Sequence, residues 1–538
     1  MMDKTVYHAL SGATKKWPNR PAFEVMPETA KTYNITCGPI KYSAVLSAAD
    51  EWANRFEAAG YCRGMRVAVL LENRPMYFMV WAGLNRIGAS IVPINPDLRR
   101  AELEYLFAHS EPALIVALPS RLKELRLAAE SSGVKAEVIA PDDPIPAPRE
   151  QAVVTEQNPL EQREAALLYT SGTTGSPKGC VLSNTYFLSA GRWYADLGGL
   201  ANLSVDRKER MITPLPVFHM NAMAYSFMAM VTVGGCLITL DRFHPKTWWP
   251  DVAASGATCL HYLGIMPSLL MGFPEQAVDR AHQVRFGFGA GVDPKLQQNF
   301  EARFGFPLIE AWAMTETGAG AVIAAYQVDR LVGQATIGHP EGWVEAKIVD
   351  DEGAEVPPET SGELLVRNKG QDPKEGFFSF YYKDPEATSK AWKDGWFHTG
   401  DIVRRDTEGR FYFVDRKKNV IRRSGENIAA IEVESVLMRH PAIKAAGVAA
   451  VPDAMRGDEV FACLQVADPS PNLAHEIAKW GLENMAYYKI PGYIAFVDEL
   501  PLTPTQKIQR ASLKTLASSL IGHPDTITLT HLKKRQVI

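Results

Sequence analysis

The stretch Arg66–Leu118 reads RVAVLLENRPMYFMVWAGLNRIGASIVPINPDLRRAELEYLFAHSEPALIVAL. It alternates two textures. RVAVLL, Arg66–Leu71, is an apolar run of strand length. PMYFMVWAGLNRIG begins at Pro75, a residue suited to a helix N-terminus, and ends at Gly88, suited to its C-terminus. ASIVPIN is a second strand, LRRAELEYLFAHS an amphipathic helix, and ALIVAL a third strand. A β-α-β-α-β order with continuously apolar strands predicts a parallel, doubly wound sheet covered on both faces. AALLYT (165–170), MITPLP with the helix after it, and ATCLHYLG (257–264) repeat the theme.

The texture changes further along. Residues 140–159 hold four prolines in their first ten positions and few large apolar residues, which marks a connector. From about Glu341 the chain is β-rich, with VEAKIVDDEGAEV, GELLVRN and RFYFVDR. Beyond Arg416 lies a block with a helix near Ala430–Arg439, strands AAGVAAV and VFACLQV, a helix near Leu473–Met485, and YIAFV. The expected fold class is therefore α/β. A large N-terminal domain, 1–416, has doubly wound sheets and a β-rich subdomain; a small α+β domain, 417–538, follows it.

Composition narrows the function classes. The chain has 538 residues, 46% hydrophobic and 22% charged, with a net charge of −4, too long for one core. No basic patch predicts a nucleic-acid or anionic-membrane partner. The six cysteines, at 37, 62, 180, 236, 259 and 463, form no C-x-x-C pair or metal-ligand cluster. Reduced thiols and a cytoplasmic location are expected. Met220–Leu240 carries no charge over 21 residues, yet Gly234-Gly235 splits it. It predicts a buried helix to about Val233 and a buried strand CLITL, not a membrane span.

YTSGTTGSPKG, Tyr169–Gly179, holds three glycines, five Ser/Thr hydroxyls and one lysine, with no acid. Glycines admit an anion close to backbone N–H groups, hydroxyls add donors, and Lys178 adds charge. The loop predicts phosphate binding. It is not a Walker loop, because Gly179 follows the lysine where Ser or Thr is required.

With LPVFH, AWAMTETG, GWFHTGD, DRKKNVIRRSGENI and LPLTPTQKIQR, this loop resembles the successive core motifs of the ANL superfamily of adenylate-forming enzymes. The finer texture of YFVDRKKNVIRRSGENIAAIEVESVL resembles acid–CoA ligases of the crotonobetaine/carnitine type. The resemblance implies an AMP-forming acid–CoA ligase that uses ATP, Mg²⁺ and coenzyme A. A carboxylate attacks the α-phosphate, pyrophosphate leaves, and the CoA thiol then displaces AMP. Thr170, Ser171, Gly172, Thr173, Thr174, Gly175 and Lys178 are implied to enclose the β- and γ-phosphates. Glu316 is the implied Mg²⁺ ligand, as a hard oxygen donor, and Thr315 a donor to the α-phosphate or substrate carboxylate. Trp312 falls to the adenine, Asp401 with Arg416 to the ribose, and Gly289 and Ala290 are also implied to bind the cofactor.

The resemblance makes Lys507 the adenylation lysine, although Gln506 precedes it where most members have Gly. Lys418 is the implied hinge of a mobile lid. Arg422 and Gly425 belong on the thioester-forming side, with Gly425 in the pantetheine tunnel. His219 is the implied gate of the acyl pocket, lined also by Met220, Asn221, Met223, Gly264, Met266, Gly287 and Gly289. Ala313, in place of a smaller or much larger residue, and Arg192 point to a short acid with a polar or charged tail, while aromatic acids and medium-chain fatty acids stay open. Transfer to a carrier protein and a non-catalytic nucleotide-binding role stay open as alternatives. Oligomeric state is not readable from the sequence.

Overall fold

The computed structural model describes residues 3–98, 100–150, 158–170, 177–416, 419–423, 426–453, 456–485, 487–502 and 508–533. The chain divides into two compact units. The first comprises Met1–Ser171, Pro177–Ala346 and Val366–Phe397; the second comprises Gly172–Ser176, Lys347–Leu365 and His398–Ile538.

The first unit is built on two sheets. In one, Glu137–Ile139, Leu114–Ala117, Arg66–Leu70, Ser90–Pro93 and Glu164–Thr170 lie side by side in parallel, followed by antiparallel Lys178–Ser183 and Phe380–Tyr381. All of Arg66–Leu70 except its first residue, and all of Ser90–Pro93 and Leu114–Ala117, are buried, as a sheet covered on both faces requires. The helices Pro75–Arg86 and Arg100–Ser110 supply the crossovers, and Pro75 sits at the first helical position.

In the other sheet the order is Ile323–Ala324, Leu308–Trp312, Phe286–Ala290, Cys259–Leu263, Arg210–Thr213, Cys236–Thr239, Pro21–Val25 and Gly38–Lys41. The six inner strands are parallel and the two edges antiparallel. Side chains such as Trp248, Val252, Phe300 and Phe304 cover one face. The uncharged stretch 220–240 is a buried helix that starts in a π-helical turn, Asn221–Phe227, continues as Met228–Val233, and ends on left-handed Gly234 before the strand Cys236–Thr239. Among the described residues no helix is long and apolar enough to cross a membrane.

In the second unit a sheet runs Glu426–Ala429, Val420–Arg423, Gly457–Val466, Tyr493–Phe496 and Thr526–Thr528, with Ile443–Asp453 pairing along Gly457–Val466. Alternation along that central strand sends Val460, Ala462 and Leu464 into one apolar core, with Val433, Leu437, Ile477 and Leu529. Phe461 and Cys463 face the opposite core, with Leu513 and Ala517.

Candidate active site

The two strands that flank the Gly-rich loop have their ends opposite each other. Thr170 pairs with Lys178 across the antiparallel ladder of Glu164–Thr170 and Lys178–Ser183. The loop residues Ser171, Gly172, Thr173, Thr174 and Gly175 lie outside the described residues. Their exit is held from outside: Tyr105 donates its hydroxyl to the Pro177 carbonyl at 2.8 Å, and Tyr382 N–H donates to the Gly179 carbonyl at 2.7 Å.

The segment carrying Tyr382 also links the two charged residues. The Lys178 ammonium stands 4.9 Å from the centre of the Tyr381 ring, and the Tyr381 hydroxyl donates to Glu316 Oε1 at 2.8 Å. Glu316 is 7% exposed, and its carbonyl accepts the Phe378 N–H at 2.9 Å. The fold thus joins the Lys178 ammonium and the buried Glu316 carboxylate through one aromatic residue that sequence reasoning missed. That carboxylate is a hard oxygen donor with a fixed orientation, which fits Mg²⁺ held by one protein carboxylate plus phosphate oxygens. Among the described residues no three His, Cys, Asp or Glu side chains converge on a metal-sized point.

The turn after Trp312 is fixed from below. Thr315 offers its carbonyl to the Tyr186 hydroxyl at 2.9 Å. Gly318 has φ +46°, and a Cβ there would stand 2.3 Å from Tyr186 Cε2 and 2.6 Å from the Gly376 carbonyl, so only glycine fits. Trp312 ends its strand with 5% of its surface exposed, while Ala313 beside it is exposed.

One parallel strand over, Phe286–Ala290 runs into left-handed Gly291. Gly289 is buried, and a Cβ on it would meet the Tyr262 carbonyl at 2.2 Å. The glycine therefore serves the approach of its own neighbouring strand. Glu310, unflagged by the sequence reading, clamps the turn. Its Oε2 accepts the Gly291 N–H at 2.7 Å, and Oε1 accepts the Val292 N–H at 3.2 Å and the Tyr262 hydroxyl. Burial outweighs these three donors and pushes the Glu310 carboxyl up to about 7. Ala290, just before the clamped turn, is exposed.

His219 is exposed, its ring 4.5 Å from that of Phe218. It opens the π-helical turn, where Asn221 is half-buried. Asn221 Oδ1 lies 2.8 Å from Nδ1 of fully buried His261, whose Nε2 lies 3.1 Å from the Tyr194 hydroxyl. Burial lowers His261 to about 3, so it is neutral. Of the expected pocket residues, Met223, Met266, Gly287 and Gly289 are buried in the core. Met223 is fully buried, its sulfur accepting the Tyr77 hydroxyl at 3.2 Å. Gly287 is buried, with its missing Cβ 2.8 Å from Leu308 Cδ2. Ala290 ends one parallel strand of this sheet, and His219, Thr315 and Glu316 follow the C-terminal ends of two others, the side on which open α/β sheets place their ligand crevices.

In the second unit, Asp401 and Arg416 are cross-strand partners in the hairpin of Trp396–Arg405 and Phe411–Arg416. Asp401 is 1% exposed, and its N–H donates to Thr399 Oγ1 at 3.0 Å. The side chains of Arg416 and Arg422 and the whole of Lys418, Gly425 and Lys507 lie outside the described residues. Just past Lys507, Arg510 donates to Glu434 Oε2 at 2.7 Å, and Glu434 Oε1 accepts the Val448 N–H at 2.7 Å.

The family model described as AMP-binding enzyme matches residues 11–373, and the one for the AMP-binding enzyme C-terminal domain matches 432–507. The chain belongs to the AMP-binding enzymes. It is 29% identical over 510 residues to sulfoacetate–CoA ligase of Cupriavidus necator, covering 93% of this chain and 95% of that one. It is 30% identical over 517 residues to crotonobetaine/carnitine–CoA ligase of Citrobacter koseri, covering 90% and 96%. ATP-bound MatB of Rhodopseudomonas palustris superposes with a TM-score of 0.79 at 24% identity, covering 96% of this chain and 99% of that one, which shows the shared fold.

Proposed function

We infer that this AMP-binding enzyme is an ATP-dependent, AMP-forming acid–CoA ligase acting on a short carboxylic acid with a polar or charged tail. The reaction class follows its membership of the AMP-binding enzymes and two relatives that are CoA ligases by name. The observation that carries the site is the chain Lys178–Tyr381–Glu316 at the mouth of the phosphate loop.

In the first step a carboxylate oxygen of the acid forms a bond to the α-phosphorus, and the bond to pyrophosphate breaks. Lys178 and the loop hydroxyls bind the departing phosphates. Glu316, kept in place by Tyr381, would hold Mg²⁺, which neutralises phosphate charge when bound. Lys507 bridges the acyl carboxylate and α-phosphate oxygens. Asp401 accepts from ribose hydroxyls and Arg416 completes that contact. Ala290, with the turn fixed by Glu310, and Trp312 border the adenine, while Gly289 supports them from within the sheet. In the second step the CoA sulfur bonds to the acyl carbon and AMP leaves with the electron pair. Gly425 lines the path of the thiol and Arg422 faces the site. The lid is residues 417–538, hinged at Lys418.

A short, polar acid agrees with the sulfoacetate and crotonobetaine/carnitine relatives. His219 and half-buried Asn221, braced by neutral His261, give the pocket polar walls. The test is pyrophosphate release with purified protein, ATP and Mg²⁺ against sulfoacetate, crotonobetaine, carnitine, acetate, benzoate and octanoate, with and without CoA. Release with the first three, stimulated by CoA and yielding AMP and a thioester, is expected. Release with octanoate or benzoate alone overturns the acid class. Release indifferent to CoA points to a carrier-protein acceptor.

A further inference from the structure

The second unit buries three charges that the reaction does not use. Glu459 and Lys533 have fully buried side chains, and that of Arg423 is 4% exposed. Glu459 Oε2 accepts Arg423 Nε at 2.8 Å, and its Oε1 accepts from the Lys533 ammonium. The carboxylate occupies space that only a glycine at 492 leaves open, since a Cβ there would lie 2.6 Å from Glu459 Cδ. The segment carrying Lys533 docks on the same glycine, Leu529 N–H donating to the Gly492 carbonyl at 2.8 Å.

One anion between two cations is a poor way to gain stability. Desolvation of buried ions tends to cancel their attraction, and apolar residues of equal volume do as well or better. The best-attested use of such a group is to select one register. Arg423 stands where register matters. It ends the strand Val420–Arg423, which meets the central strand at the pair Arg423↔Gly457, two residues from Glu459. The same strand forms a hairpin with Glu426–Ala429, in which Arg423 pairs with Glu426. Residues 424 and 425 connect the two. A slip of one residue moves the chain by about 3.3 Å and sends each side chain to the opposite face.

We propose that Lys533 is a positioning residue for thioester formation, holding Glu459 against Arg423 and so fixing the strand that leads into Gly425. This rests on the reading that Gly425 borders the path of the CoA thiol. Adenylation draws on Lys507 instead, whose flanking helix is anchored by the separate Arg510–Glu434 pair. Losing Lys533 therefore separates the two half-reactions.

The test uses full-length Lys533→Met, Lys533→Arg and Gly425→Leu. Acid-dependent ATP–pyrophosphate exchange reports adenylation, and single-turnover transfer from preformed acyl-AMP to CoA reports the second step, with the panel acid that is turned over fastest. Lys533→Met is expected to keep exchange within about twofold while transfer slows by roughly 10²-fold, the scale of a 1 Å misplacement. Lys533→Arg is expected to restore transfer. Amide exchange by mass spectrometry, which needs no acid, is expected to show faster exchange in 420–429 and unchanged protection in the helix Arg510–Leu520. Equal loss of both half-reactions, unaffected transfer, or unchanged exchange in 420–429 overturns the proposal. Transfer that survives Gly425→Leu fails the tunnel reading itself. Transfer blocked by Gly425→Leu but untouched by Lys533→Met fails only the role of Lys533.

Discussion

Glu310→Gln isolates what the buried clamp beneath Gly291 and Val292 costs and what it does. Burial raises Glu310 from an ordinary 4.5 to about 7. Its folded form therefore binds a proton that the unfolded form has released between those two values. The stability tied to that proton is fully present below pH 4.5 and is lost as pH rises through 7. Each pH unit of that window is worth about 1.4 kcal/mol, so the ionised carboxylate costs the fold about 3 kcal/mol at pH 8. Glutamine does not titrate. Like the protonated acid, it meets three donors with one good acceptor and one hydrogen-bearing group.

At pH 5 the thermal midpoints of wild type and variant are therefore expected to be close. At pH 8 the variant is expected to unfold several degrees higher, since 1 kcal/mol moves a unit of this size by roughly 2 °C. The gain in stability comes with a looser turn. Gly291 or Val292 loses its charge-assisted acceptor, and the KM for ATP is expected to rise at pH 8. Scanning fluorimetry at the two pH values and ATP titration of pyrophosphate release measure both sides. A variant that is less stable than wild type at pH 8, with the gap closing at pH 5, would refute the reasoning, because the ionised carboxylate would then be a net stabiliser.

Three further outcomes follow from the site. Tyr381→Phe removes the donor to Glu316 but keeps the ring under Lys178. It is expected to raise the Mg²⁺ concentration needed for half-maximal pyrophosphate release by about tenfold, the usual scale for losing a group that orients a metal ligand; an unchanged Mg²⁺ titration removes Tyr381 from the site. Lys507→Ala is expected to slow acyl-AMP formation by about 10²–10³-fold; a first-step rate near wild type sinks its assignment. Gly425→Leu is expected to leave ATP–pyrophosphate exchange intact and block thioester formation, read as acyl-AMP accumulating when CoA is present.

The sequence was most legible where burial is complete. Leu114–Ala117 is buried at every position and reads as an unbroken apolar run whatever surrounds it. The hairpin places Asp401 opposite Arg416, the two residues that the resemblance assigned to the ribose. Tyr381 carried no local signal, because its partner Lys178 lies 203 residues away (381 − 178) and only the antiparallel edge strand Phe380–Tyr381 brings them together. Glu310 was hidden by its neighbours: the motif directs attention to Glu316, and an acid inside LIEAW looks like an exposed alternate. Gly289 and Gly287 show a different limit. A glycine in a strand signals a close approach without saying whether a ligand or a neighbouring strand makes it, and here Tyr262 and Leu308 do.

The groups that escaped notice share a physical character. Glu310, Glu434 and Glu459 are buried acids, and each holds backbone or a cation near a residue of the proposed site. Glu434 shows the balance. Burial raises its carboxyl even with Arg510 bonded to it and the Val448 N–H donating. Attraction and desolvation nearly cancel in such a pair, so neither explains its presence as a source of stability. Direction does. An apolar contact tolerates sliding, whereas the bonds from Arg510 and from the Val448 amide to Glu434 define one position for the start of the helix that follows Lys507. With the roles proposed for Lys507 and Gly425, the two half-reactions draw on different parts of one small unit, and each part needs to be set independently. Arg510–Glu434 and Arg423–Glu459–Lys533 are two separate networks, with no shared residue, that meet that need.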